Sequence, residues 1–169
     1  MNKIAGVVAL LSGNAYATLR FGGCPYIKPM TEFDMSRYMG RWYEIVRDQY
    51  IPFELYSDCA NVNYDMIEGT DYVQVHNKNV YPIYGWYDMV GQGIQVSEGV
   101  GSFIVDFYET ADPKARANYN VLDTDYESYS VVYSCEELAG GWAHFDYLWV
   151  LGRETTMEDA QFASVVDFI

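Results

Sequence analysis

After Gly40 the chain alternates apolar and polar residues with a period of two, the repeat of strands that bury one face. The clearest run is "CANVNYDM", where Ala60, Val62, Tyr64 and Met66 fall on one side and Cys59, Asn61, Asn63 and Asp65 on the other. Glu68-Gly69-Thr70-Asp71 is a hairpin-length connector, and "YVQVHNKNV" then sets Val73 and Val75 against Tyr72, Gln74 and His76. The two runs are expected to pair as antiparallel neighbours. Further strands are predicted over 84–96, 103–108, 119–124, 128–135 and 145–151, with "ADPKARAN" at 111–118 as a polar turn. The total is roughly eight strands on short connectors, the pattern of a sandwich or an up-and-down barrel. The tail changes period. Phe162, Val165, Val166 and Ile169 share one helical face, and Thr155 and Glu158 have capping-box spacing, so one helix packed by one face should end the chain.

Composition narrows the picture. Half of the 169 residues are hydrophobic and 17% are aromatic, including 17 Tyr and 8 Phe, beside a net charge of −14. An acidic chain this rich in aromatic residues folds rather than staying disordered. The charge disfavours nucleic acid and anionic membrane surfaces, which both select basic patches. The length suits a single domain over residues 18–169. Before it, Lys3, the apolar run Ile4 to Leu11 and Ala15-Tyr16-Ala17 form a signal-peptide pattern, so residues 1–17 are expected to be a cleaved leader and the protein to be secreted or to reside in another oxidising lumen. The alternative is a retained leader and an organellar or membrane-associated assembly. The Ile4 to Leu11 run is far too short to span a bilayer as a helix, and no other segment is long and apolar enough. Of Cys24, Cys59 and Cys135, two can pair in an oxidising compartment and one is left over.

Catalytic and metal chemistry find little support. His76 and His144 lie far apart in sequence, without metal-ligand spacing beside a cysteine cluster, so no metal site is expected. There is no phosphate-binding glycine loop or serine nucleophile elbow. Asp123 and Asp125 sit in a turn, where aspartate commonly accepts backbone N–H groups. An enzyme is not expected.

Three separated stretches resemble the signature motifs of the lipocalins. "GRWYEI" at Gly40 to Ile45 is similar to the family's Gly-x-Trp on the first barrel strand, "TDYESYSVVYSC" at Thr124 to Cys135 to its Thr-Asp-Tyr turn, and "LWVLGR" at Leu148 to Arg153 to the Arg ending the last strand. Within the family, Cys24-Pro25, "FDMSRYMGRWYEI" and "FDYLWVLGR" most resemble the apolipoprotein D and bilin-binding protein group. The resemblance implies an all-β fold: an eight-stranded antiparallel up-and-down β-barrel, or calyx, with the C-terminal helix packed outside. It also implies binding and carriage of a small hydrophobic ligand of lipid, sterol, retinoid or pigment class. No resident cofactor is implied, because a lipid or pigment would be cargo. The competing reading is an accessory subunit whose partners are other proteins in an assembly.

The same resemblance assigns residues. Trp42 and Arg153 correspond to a structural pair at the closed end, and Cys24 and Cys135 to a disulfide enclosing roughly 110 residues. Cys59 matches a cysteine whose family partner lies in a C-terminal extension, and with the chain ending at Ile169 it is expected to be a free thiol. With Trp42 inward, alternation turns Glu44 and Val46 inward too, and Tyr43 and Ile45 outward under the helix. The same parity makes Val62, Tyr64, Met66, Val73, Val75, Phe103, Val105, Phe107, Trp149 and Leu151 inward residues, and all but Val73 are taken with Glu44 as the ligand-binding set. A buried carboxylate needs a partner, so Glu44 should meet a Tyr hydroxyl, water, an inward Arg or the ligand. Glu44→Gln is expected to change ligand affinity without unfolding the protein; titration with an apolar fluorophore checks this, and unchanged affinity removes Glu44 from the binding set.

Overall fold

The computed structural model describes residues 19–48 and 51–169; the expected leader at 1–17 lies outside them. Its elements run β1 (Arg20–Phe21), α1 (Met35–Tyr38), β2 (Gly40–Arg47), β3 (Asp58–Met66), β4 (Tyr72–Tyr81), β5 (Gly85–Gln95), β6 (Ser102–Asp106), β7 (Tyr119–Thr124), β8 (Tyr129–Leu138), β9 (Ala143–Gly152) and α2 (Asp159–Phe168). Strands β2 to β9 pair each with the next, and β9 returns to β2, closing an eight-stranded antiparallel barrel. The short β1 adds to the free part of β9, pairing Arg20 with His144 and Phe21 with Ala143.

The closed end is built from the three sequence motifs. Asp34 caps the single turn of α1 by accepting from the Ser36 and Arg37 N–H groups, and this turn sends Tyr38 into the barrel, 2% exposed. Gly40 follows at φ +90, a left-handed backbone that favours glycine. Trp42, fully buried, donates its indole N–H to Tyr38 O at 2.9 Å. The Arg153 guanidinium lies 3.7 Å from the centre of the Trp42 ring. Its remaining N–H groups reach Tyr126 O at 3.0 Å, Arg41 O at 2.8 Å and Arg37 O at 2.9 Å. A charged donor on a carbonyl is worth up to roughly 1.5–3 kcal/mol per bond, less where water reaches it, as at Arg37 and Arg41. In the Thr-Asp-Tyr turn, Thr124 Oγ1 accepts from the Tyr126 N–H, and Asp125 accepts from the N–H groups of Glu127, Ser128 and Tyr129. The Tyr126 hydroxyl accepts from the Asp34 N–H at 2.9 Å.

Two apolar clusters result. The inner one holds Trp42, Tyr38, Phe33, Phe103 and Tyr64. The outer one is Val131, Val150 and Val165, with Ile45, Val46, Leu122 and Met157 packed around it, and it seats α2 on the barrel wall. Here the structure corrects two expectations. Val46 faces outward, because the β2–β9 register shifts between Glu44 and Val46. This bulge sends Ile45 and Val46 to the helix side and returns Arg47 to the side of Glu44. The helix also starts later than the capping-box spacing suggests. Glu158 is its N-cap without a side-chain cap bond, since residues 154–157 are used to travel from the closed end to the outer cluster. Val165 anchors it while Ile169 is left exposed.

At the other end, the arm is fixed by the Cys24–Cys135 disulfide, which links residues 111 apart. Arg116 pairs with Glu137 and donates to Cys24 O at 2.8 Å. Cys59 is a free, exposed thiol. The β6–β7 seam has only two paired positions, Ser102 with Asn120 and Phe103 with Tyr119. The Asn118 side chain extends it, accepting from the Val105 N–H and donating to Val105 O, both at 2.8 Å. Reducing the disulfide is expected to lower the unfolding free energy by about 4 kcal/mol. Urea melts with and without reductant measure the loss.

Candidate functional site

The barrel interior is divided by a floor of tyrosines. Ser130 Oγ lies 2.9 Å from the Tyr38 hydroxyl, which is 3.3 Å from that of Tyr119, which is 2.7 Å from that of Tyr64. Each buried phenol thus has an oxygen partner, as a desolvated hydroxyl requires. Burial pushes the Tyr38 hydroxyl up to about 12 and those of Tyr64 and Tyr119 well above 10.0. All three are neutral donors and acceptors at physiological pH. Beneath them is an apolar void of about 20 Å³, lined by Phe103 and Val73 among others.

Above the floor lies a cavity of about 440 Å³, within the range of small-molecule sites. Val62, Val75, Val105, Val132 and Leu151 supply aliphatic wall, and Phe107, Tyr147 and Trp149 aromatic wall. It reaches solvent beside the half-exposed Tyr87 and the exposed Tyr108. Its width depends on Gly91: a Cβ there would lie 2.5 Å from Asp106 O and 2.6 Å from the Phe107 ring. Only glycine lets the Phe107 ring lie against β5.

One side of the wall is ionisable. Glu44 and Glu54 both line the cavity, their side chains 10% and 14% exposed. Arg47 forms an ion pair with Glu44 and stands 3.7 Å from Glu54. It also donates to Glu54 O at 3.2 Å and Ser57 O at 3.1 Å. The Trp149 indole donates to Glu54 Oε2 at 3.1 Å. Two carboxylates share one guanidinium in a desolvated place. Burial raises Glu44 above its ordinary range despite Arg47, and burial with the neighbouring Glu44 charge raises Glu54 to about 7.

Of the expected ligand-binding residues, Glu44, Val62, Tyr64, Val75, Val105, Phe107, Trp149 and Leu151 line the cavity. Phe103 does not; it lies below the floor against Phe33 and Tyr119. Met66 does not either, being 49% exposed at the last position of β3. Parity gives the side of a strand but not the depth, and by Met66 the barrel has ended. The expectation missed Phe53 and Glu54, which come from the 51–57 segment and obey no strand parity. It also missed Asn77, Asn79 and Asn118 on the wall. Asn77 and Asn79 continue the inward parity of Val73 and Val75, a signal that was legible.

A lipocalin-like domain model matches residues 33–169. Apolipoprotein D of Rattus norvegicus is 33% identical over 151 residues, spanning 89% of this chain and 75% of the relative. Bilin-binding protein of Pieris brassicae is 25% identical over 170 residues, 98% and 84% of the two chains. Among solved structures, insecticyanin of the tobacco hornworm Manduca sexta superposes with a TM-score of 0.70 at 23% identity, covering 88% of this chain and 78% of that one.

The carboxyl pair should imprint itself on stability. Below about 4.5 Glu54 is neutral folded and unfolded; between there and about 7 the unfolded state ionises first, so stability is lost as pH rises through that window. Glu54→Gln is expected to flatten the slope between those two values, which urea midpoints across the range measure.

Proposed function

The chain belongs to the lipocalin-like family, and from that premise we propose that it binds and carries a small hydrophobic molecule, non-covalently, inside the barrel. The observation that carries this reading is the 440 Å³ cavity, apolar over most of its wall and resting on neutral phenols. Burying apolar ligand surface stabilises the complex by roughly 25 cal/mol per Å². The phenols, asparagines and carboxyls set orientation, since each polar wall group left unmatched by the ligand costs affinity. Lipid, sterol, retinoid and pigment classes all meet these terms, and the name of the Pieris relative, bilin-binding protein, supports the pigment class among them.

The mechanism is sequestration rather than turnover. The open cavity supports carriage over an accessory-subunit role, for which an interior filled by the protein's own side chains would suffice. The Cys24–Cys135 disulfide supports residence in the extracellular space or another oxidising lumen, with residues 1–17 removed on the way.

Native mass spectrometry of unreduced protein from its natural source tests the reading. The expected species is a single chain lacking residues 1–17, with a small-molecule mass released on denaturation. Ala60 faces the cavity, and Ala60→Trp should abolish that mass while leaving the far-ultraviolet spectrum unchanged. Protein found only in fixed stoichiometry with other chains, without a small-molecule mass, overturns carriage.

A further inference from the structure

The charges around the cavity are one-sided. Glu44 on β2, Glu54 on the 51–57 segment and Glu136 at the mouth on β8 all line it. Asp106 lines it as well, but its carboxylate is committed to the N–H groups of Tyr108 and Glu109 at 2.7 and 2.9 Å. Lys78 borders the cavity, yet its ammonium is 3.2 Å from Asp88. Arg47 contacts two of the carboxylates without itself lining the space. Among the described residues, then, three facing carboxyls are opposed by one guanidinium. Glu136 is exposed to water at the mouth, but the buried pair, Glu44 and Glu54 against Arg47, carries one negative charge in excess when both are ionised.

Such an excess has a chemical preference. An anionic head entering beside Glu44 and Glu54 meets like charge, and the apolar wall cannot offset it. A protonated amine instead supplies the second cation that the carboxyl pair lacks. We propose that the cavity selects ligands with an apolar body and a protonated amine head, seated against Glu54 and Glu44, over ligands ending in a carboxylate. The inference rests on the carrier reading and names the ligand class within it.

Selection of this kind is gated by pH. The groups facing Glu54 are Glu44 and Arg47 from β2 and the Trp149 indole from β9; Asp58 of β3 adds its charge at Glu44. Above about 7 Glu54 is ionised and attracts the amine; below it a proton takes the amine's place.

The test compares decylamine, decanol and decanoate, one body with three heads whose charge is constant over the range used. Binding to the disulfide-intact chain is measured by isothermal titration at about pH 8 and about pH 6. At the higher pH, decylamine is expected to bind about tenfold tighter than decanol, and decanoate about tenfold weaker. The amine's advantage over decanol should shrink at the lower pH and in Glu54→Gln, whose Oε1 still accepts from Trp149. Equal binding of all three heads, or tighter decanoate, overturns the amine preference and leaves carriage standing. Decanol failing to bind at either pH, together with both other heads, overturns carriage itself. The wild-type pH series decides the matter even if the variant does not fold.

Discussion

A single guanidinium holds the closed end of this barrel. Arg153 leaves the last residue of β9 behind and, within one side chain, covers the Trp42 ring of β2 and takes carbonyls from α1, from β2 and from the β7–β8 turn. Among the described residues no backbone ladder joins α1 to the β7–β8 turn. Stacking and forked hydrogen bonding together require arginine, because an ammonium has neither the plane nor the spread of donors. With that end sealed, Tyr38 is fixed against Trp42 and Ser130, the phenol floor follows, and the cavity acquires a bottom.

The upper half obeys a different constraint. A carboxylate facing an apolar interior needs a cation, and strict alternation along β2 would have put Glu44 and Val46 inside and Arg47 outside. The bulge after Glu44 solves both problems at once: two aliphatic residues go to the helix, and the arginine turns toward the two glutamates. The electrostatics of the cavity therefore originate in a backbone irregularity.

What was legible in the sequence, and what was not, divides along the same line. Period-two alternation revealed the strands, whereas the Trp42–Arg153 pair and the Cys24–Cys135 disulfide join residues far apart in sequence and were expected only through the resemblance to the lipocalins. Val46 was misplaced because a bulge is a local insertion that parity does not register. Glu54 was invisible because its position comes from a loop that obeys no strand parity and is held by Arg47 and, 95 residues away, Trp149. Met66 and Phe103 had the right side and the wrong height, since alternation carries no measure of depth. Asn118 was read as the end of a turn, though its amide serves as strand backbone.

That last residue gives the wall an uneven mechanical character. Around the rest of the barrel, β2 to β9, neighbouring strands are joined by runs of peptide groups, which separate only when a strand moves. Between β6 and β7 the ladder is completed by one carboxamide, which can be released by rotation about two side-chain bonds. Such a release moves one side chain and leaves both strands in place. The barrel is thus a stiff hoop with one compliant stave, and that stave borders the cavity.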